Sequence, residues 1–106
     1  MPDHLVVLIT AASEEQARQI ATALLEQKLA ACVNLVPVTS LFTWEGQLQD
    51  AREVLLIVKT TAQATRSRLI AAVKALHSYT VPEIIGLPIV TGAEDYLRWI
   101  DDETTG

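Results

Sequence analysis

Unbroken apolar runs rich in β-branched residues alternate along this chain with stretches whose apolar side chains recur every three or four positions. Leu5-Val6-Val7-Leu8-Ile9 is of the first kind and predicts a strand covered on both faces. Ser13 then stands three residues ahead of Gln16, the spacing of a capping box, with Glu14 and Glu15 where the helix dipole favours acids. Ala17, Ile20, Ala21 and Leu24 repeat at helical spacing, with Leu25 widening the stripe. A helix is therefore expected over residues 13–28, with Lys28 at its negative end.

The pattern changes at Ala31. Cys32 to Val36 and Val38 to Trp44 are rich in β-branched and aromatic residues, interrupted by Pro37. Proline cannot donate to a sheet ladder, so Pro37 marks an edge position or a bulge. Glu45-Gly46-Gln47 reads as a hairpin tip, with Gly46 supplying a positive φ. The chain returns through Val54-Leu55-Leu56-Ile57-Val58. Thr61 can cap a second helix, with Leu69, Val73 and Leu76 on one face, Ile70 beside them, and Arg66, Arg68 and Lys74 on the solvated side. That helix should end before Ser78, because Val81-Pro82 favours extended backbone. Residues 83–90 form a last strand, which Pro88 limits to an edge or a bulge. After Thr91-Gly92, the spacing of Asp95, Tyr96, Trp99 and Ile100 predicts a short helix with Tyr96 and Trp99 on one face. The ends, Met1 to His4 and Asp101 to Gly106, read as polar tails that fray.

Strand, helix, long hairpin, helix, strand, short helix is an α+β, ferredoxin-like split βαβ order: four antiparallel strands with two helices on one face. Hairpin arms of about a dozen residues reach about 40 Å, against a radius of gyration of about 13 Å for a domain of this size. Leu41, Phe42, Trp44 and Leu48 make the tip too apolar for a lone exposed arm. Either other copies of the chain cover it with closed symmetry, or it curls over its own sheet with Pro37 as the bend.

Composition narrows the function. At 106 residues the chain is one domain, half apolar and 20% charged, a globular balance. A net charge of -5 argues against a binder of nucleic-acid phosphates. No apolar run approaches a membrane span. The opening Met-Pro-Asp-His shows no secretory signal, and the single Cys32 cannot form an internal disulfide. A soluble cytoplasmic protein is the expectation.

No P-loop, GxGxxG, HExxH, CxxC or GxSxG is present, and no nucleophile–base pair is suggested by spacing, so an enzyme is not expected. Cys32 reads as a small hydrophobe. His77 reads as a cation at a helix C-terminus, or else as a metal ligand. One histidine cannot make a site that wants about four donors, so Glu83, Cys32 or symmetry copies would have to complete it. Copper tolerates such a mixed set. Lys59 is either a snorkelling strand-end residue or a fixed charge at a pocket mouth, and Glu83 is similarly a surface residue or a pocket carboxylate. Trp44 and Tyr79 are packing groups or the walls of a ligand site. Glu94, Asp95, Asp101, Asp102 and Glu103 read as a solvated face.

Leu29-Ala30-Ala31-Cys32-Val33-Asn34-Leu35-Val36-Pro37, Thr43-Trp44-Glu45-Gly46, Val58-Lys59-Thr60-Thr61, His77 to Ile85 and Asp95-Tyr96-Leu97-Arg98-Trp99-Ile100 together closely resemble the CutA family of divalent-cation tolerance proteins. The resemblance runs in order over nearly the whole chain. It implies a ferredoxin-like subunit in a tight homotrimer, related in architecture to PII-type signalling proteins, with long hairpins packed between subunits. It also implies a role in tolerance of copper and other divalent ions, without an established catalytic mechanism; a mammalian branch is linked to acetylcholinesterase anchoring. The family's lysine, tyrosine and glutamate near the subunit contacts match Lys59, Tyr79 and Glu83, and its hairpin tryptophan matches Trp44. Some bacterial members carry a first-strand cysteine and a second histidine, where this chain has Ile9 and Leu76. The usual His-Pro-Tyr is His77-Ser78-Tyr79.

Two ligand expectations follow. In one, His77 and Glu83 hold a divalent cation such as copper. In the other, a PII-like sensor binds a small anion between subunits through Lys59, with Trp44 and Tyr79 as walls and Glu83 fixing orientation. A trimer that only presents surfaces is a third expectation.

Overall fold

The structure is a computed structural model and describes residues 3–104. Its sheet has the order β2-β3-β1-β4, with β1 His4–Ala11, β2 Cys32–Trp44, β3 Gln47–Thr61 and β4 Ile84–Pro88. Every adjacent pair is antiparallel. This is the ferredoxin-like arrangement expected from the element order.

Alternation sorts the strand side chains onto two faces. Val7, Ile9 and Ala11 of β1 and Leu56 and Val58 of β3 are buried. They meet Ala17, Ile20, Ala21 and Leu24 of the first helix (Glu14–Glu26) and Leu69 and Val73 of the second. Each such Leu or Ile contributes about 1.5–3 kcal/mol through removal from water. Thr60 lies in the same layer, and its hydroxyl donates to the Leu29 carbonyl at 2.6 Å.

Ser13 caps the first helix as expected, its hydroxyl accepting from the Gln16 N–H at 3.1 Å. The reciprocal half of the box is absent, because the Gln16 side-chain oxygen instead accepts from the Ser78 hydroxyl at 3.0 Å. At the other end Lys28 has left the helix. It sits at φ 58°, with its N–H on the Leu25 carbonyl and the Leu29 N–H on that of Leu24. That is a Schellman ending with lysine in the left-handed place usually held by glycine.

The second helix is capped by Thr61, whose hydroxyl accepts from the Ala64 N–H at 3.1 Å. It runs through Ala62–Ala64, a π-helical turn over Thr65–Leu69, and Ile70–Leu76. Leu76, expected on its buried stripe, is the last helical residue and is exposed.

Pro37 causes neither a break nor a bulge. The β2–β3 register is constant from Cys32–Lys59 to Trp44–Gln47, and β2 is an edge strand, where a missing N–H is tolerated. The hairpin turns through Glu45 at φ 51° and Gly46 at φ 77°. Two consecutive positive φ values are what a type I′ turn requires. Because β1 ends at Ala11, opposite Val54, the pairs from Val38–Glu53 to Trp44–Gln47 have no third strand beside them. The hairpin therefore projects as a two-stranded arm, and the molecule is 44 Å long and 25 by 22 Å across. The alternative of an arm curled back over its own sheet is not what the chain adopts.

The sheet's second face carries Val6 and Leu8, Val36 and Val38, Leu55 and Ile57, and Ile85 and Leu87. The C-terminal helix, Glu94–Glu103, covers one end of it and buries Ile100 completely. His4, on this face, bonds Asp101 through Nε2 at 2.9 Å. The ends correct one expectation: His4 is part of β1 and residues 101–103 are helical rather than frayed. Asp101 remains exposed, as expected of a solvated acid, while pairing with His4. Met1, Pro2, Thr105 and Gly106 lie outside the described residues. β4 is shorter than expected, so Glu83 belongs to the preceding loop and Val90 follows the strand.

Candidate functional site

The second helix stops at Leu76 because His77 turns extended, at φ −75° and ψ 141°. The loop that follows is anchored by the His77 ring. Nε2 lies 2.7 Å from the Thr10 carbonyl oxygen, and Nδ1 lies 3.1 Å from the Tyr79 N–H nitrogen. A carbonyl can only accept and an amide N–H can only donate, which assigns the ring proton to Nε2. Both nitrogens are therefore committed within the protomer. His77 acts here as a clamp between β1 and the loop, not as a free imidazole.

The clamp aims Tyr79 at the arm. Its hydroxyl donates to Glu53 Oε2 at 2.5 Å, and its ring stands 4.8 Å from that of His77. Burial, followed by the hydrogen bond to Glu53 and the charge on that carboxylate, pushes the Tyr79 phenol from 10.0 up to about 12. Tyr79 thus stays a proton donor at any ordinary pH.

Glu53 is only 7% exposed. It was not singled out in the sequence, and the reason is local. Residues 47–53 are mostly polar, so one more acid among them carries no signal. Nothing near Glu53 announces that a tyrosine 26 positions later will cover it.

Loop and arm flank a half-open cavity of about 420 Å³. Its walls include Thr10, Ser40, Phe42, Trp44, Glu53, Tyr79 and Glu83. The strand residues among these, Thr10, Ser40, Phe42, Trp44 and Glu53, share the second face of the sheet by register. A neighbouring recess of about 370 Å³ shares Phe42, Trp44 and Tyr79 and adds Ser78. Three of the expected ligand-site residues, Trp44, Tyr79 and Glu83, are thus brought together.

Lys59 is not brought to them. It pairs with Cys32 and Val6, and its ammonium donates to the Asn34 side-chain oxygen. Six residues along β3 from Glu53 correspond to about 20 Å. Cys32, half-buried and free, stands at that same distant end. His77 and Glu83 both belong to the loop region, but no group of three or more His, Cys, Asp or Glu side chains converges among the described residues. One protomer therefore offers no complete set of metal donors.

The chain matches the family model described as "CutA1 divalent ion tolerance protein" over residues 5–103. It is 55% identical over 100 residues to the divalent-cation tolerance protein CutA of Thermus thermophilus, covering 93% of this chain and 96% of that one. The solved structure of the periplasmic divalent cation tolerance protein CutA from Archaeoglobus fulgidus superimposes with a TM-score of 0.92 at 46% identity, over 95% of this chain and 98% of that one. The chloroplastic CutA protein of Arabidopsis thaliana is 43% identical over 101 residues, covering 94% of this chain and 55% of that one.

The compartments named for these relatives correct the cytoplasmic expectation, since one is periplasmic and one chloroplastic. The physical reason is plain. No helix among the described residues is long and apolar enough to cross a membrane, yet a chain of that kind folds equally well on either side of one. A single cysteine carries no redox signature that would tell the sides apart.

Proposed function

The chain belongs to the CutA1 divalent ion tolerance family, and from that premise we propose that it acts in the tolerance or homeostasis of divalent cations, by binding rather than catalysis and as a homotrimer. The observation that carries this reading is the match over residues 5–103 to a family named for that role.

The geometry bears on how an ion would be held. A structural or transition-metal site needs about four donors, and none of the described groups supplies three acidic, thiol or imidazole donors in one protomer. Ligands would then be pooled at the seams between copies. Glu83, exposed at the mouth of the cavity, is the carboxylate that each copy can lend. His77 can contribute only by giving up one of its two hydrogen bonds. Copper remains one candidate ion, with Glu83 and His77 as its proposed donors. The residues at the remaining positions of the bacterial pattern, Ile9 and Leu76, have no donor atoms.

A sensor for a small anion is less well supported. Its cation would be Lys59, which is engaged by Asn34 away from Trp44, Tyr79 and Glu83.

Calorimetry of the metal-free full-length protein with copper(II) and with zinc tests the proposal. A saturable heat that weakens at least tenfold in Glu83→Ala, and again in His77→Ala, is expected. No heat at millimolar ion would overturn it.

A further inference from the structure

Glu53 is an unusual carboxylate. It is more than nine-tenths buried, and among the described residues no lysine, arginine or histidine pairs with it. Its hydrogen-bond donor is a neutral phenol, Tyr79. A buried carboxylate without a counter-charge is costly, and packing a further layer over it raises the cost. The half-open cavity beside it brings no relief within the protomer. Thr10 and Ser40 line it with hydroxyls and Leu41 and Val81 with hydrocarbon, and its second charged group is Glu83, another acid.

Assembly makes the deficit acute. The second face of the sheet is apolar and largely uncovered, with Val36, Ile85 and Leu87 exposed on it. By register, the acidic and basic side chains that the strands place on that face are Glu53 and Lys59 alone, apart from His4, which Asp101 already engages. Glu53 and Lys59 lie on one strand about 20 Å apart, so they cannot meet within one copy. They also face opposite edges of the sheet. Lys59 donates to Asn34 of edge strand β2, whereas Glu53 is covered by Tyr79, from the loop that leads into edge strand β4. A cyclic trimer closes through heterologous contacts, in which two different patches meet at every seam. The β2 and β4 edges are such patches, one with a base and one with an acid.

We infer that the cavity is completed across the seam by Lys59 of the neighbouring copy, whose ammonium is the counter-charge of Glu53. One chain supplies the carboxylate and the aromatic wall, and the next supplies the cation. Lys59 is equipped for this. An ammonium has three donors, Asn34 takes one, and Asn34 is itself exposed at the sheet edge. The inference rests on the homotrimer proposed above, and it leaves Glu83 free for a divalent ion.

The test uses full-length protein with light or heavy nitrogen. Light and heavy chains are refolded together and treated with a carbodiimide, which joins an amine to a carboxylate only where the two touch. Mass spectrometry should find Lys59 of one chain joined to Glu53 of another. Separately, intact light and heavy trimers are mixed, and native mass spectrometry follows their exchange of subunits. Lys59→Met should speed exchange at least tenfold, because it strands a buried carboxylate at the seam. Lys59→Met with Glu53→Gln should recover most of that loss, because no charge is then stranded. Within one copy the two groups are farther apart than the screening length of about 8 Å at physiological salt, so they produce no such rescue.

A protein that stays a single copy would remove the trimer itself. A trimer whose exchange is unchanged in Lys59→Met, or in which the double variant exchanges as fast as the single, would overturn the shared site and leave the trimer standing. If the Lys59 variant does not assemble, the parent protein decides: Lys59 joined only to another acid, or to none, overturns the inference.

Discussion

At the scale of single residues, the pair Tyr79 and Glu53 concentrates the chemistry of this protein. In the folded chain the phenol is held protonated by burial and by the carboxylate it donates to, up to about 12. In the unfolded chain it titrates near 10. Between these values the folded state keeps a proton that the unfolded state has lost. The contribution to stability is therefore complete below about pH 10 and disappears as pH climbs from about 10 to about 12. Ultraviolet titration of phenolate absorbance should resolve one tyrosine ionising near 12, and Glu53→Gln should move it downward. It should stop short of 10, because burial, the largest cause, remains. A Tyr79 that already titrates at 10 in the native protein would refute the hydrogen bond. His77 teaches a related lesson. Its place at the end of a helix was visible in the sequence, but its partners were not. The Thr10 carbonyl is 67 positions away, and the bond to it turns an apparently available imidazole into an engaged one.

Among the elements, two turns carry residues that the backbone does not favour. Lys28 occupies the left-handed position that ends the first helix, and Glu45 occupies the first left-handed position of the hairpin turn. Residues with a Cβ pay about 1–2 kcal/mol in that region relative to a right-handed conformation. Lys28→Gly should therefore stabilise the fold by about 0.5–1 kcal/mol, part of the relief being offset by the larger entropy of glycine in the unfolded chain. Urea unfolding of the two proteins measures the difference, and a variant less stable than the parent would show that the lysine side chain itself anchors the turn. The helix end was expected at Lys28, but as a charge at the dipole's negative end. Its real role depends on the bonds from Lys28 and Leu29 back to Leu25 and Leu24. Pro37 shows the same division. Proline predicts an edge or a bulge, and only the pairing order of the sheet selects the edge.

For the whole molecule, the decisive quantity is apolar surface without a cover. The arm ends in Leu41 and Leu48, which are 68% and 77% exposed, and Ile85 and Leu87 of the edge strand β4 are about half exposed. Patches of that kind on a small domain mark association surfaces. Closed symmetry would bury them without propagating into fibres. Light scattering should accordingly report three copies per particle. Ile85→Asp should reduce the particle to fewer copies while leaving the helical circular dichroism intact, because Ile85 lies outside the buried core. A parent protein that runs as one copy would remove the trimer, and with it the pooling of metal donors at its seams.

What the amino-acid order determined alone was everything governed by neighbours within a few positions: which runs are strands, where Ser13 and Thr61 start helices, where Gly46 turns the hairpin, and that its arms outreach a single small domain. Periodicity and capping act over a few residues, so they are legible in one dimension. What needed the tertiary structure was every feature joining distant segments. Register gathers Thr10, Ser40, Phe42, Trp44 and Glu53 on one face, and the 77–83 loop folds Tyr79 over the last of them. That meeting depends on how far β1 extends beside β3 and on a histidine clamped to a strand, and neither leaves a mark near Glu53 in the chain.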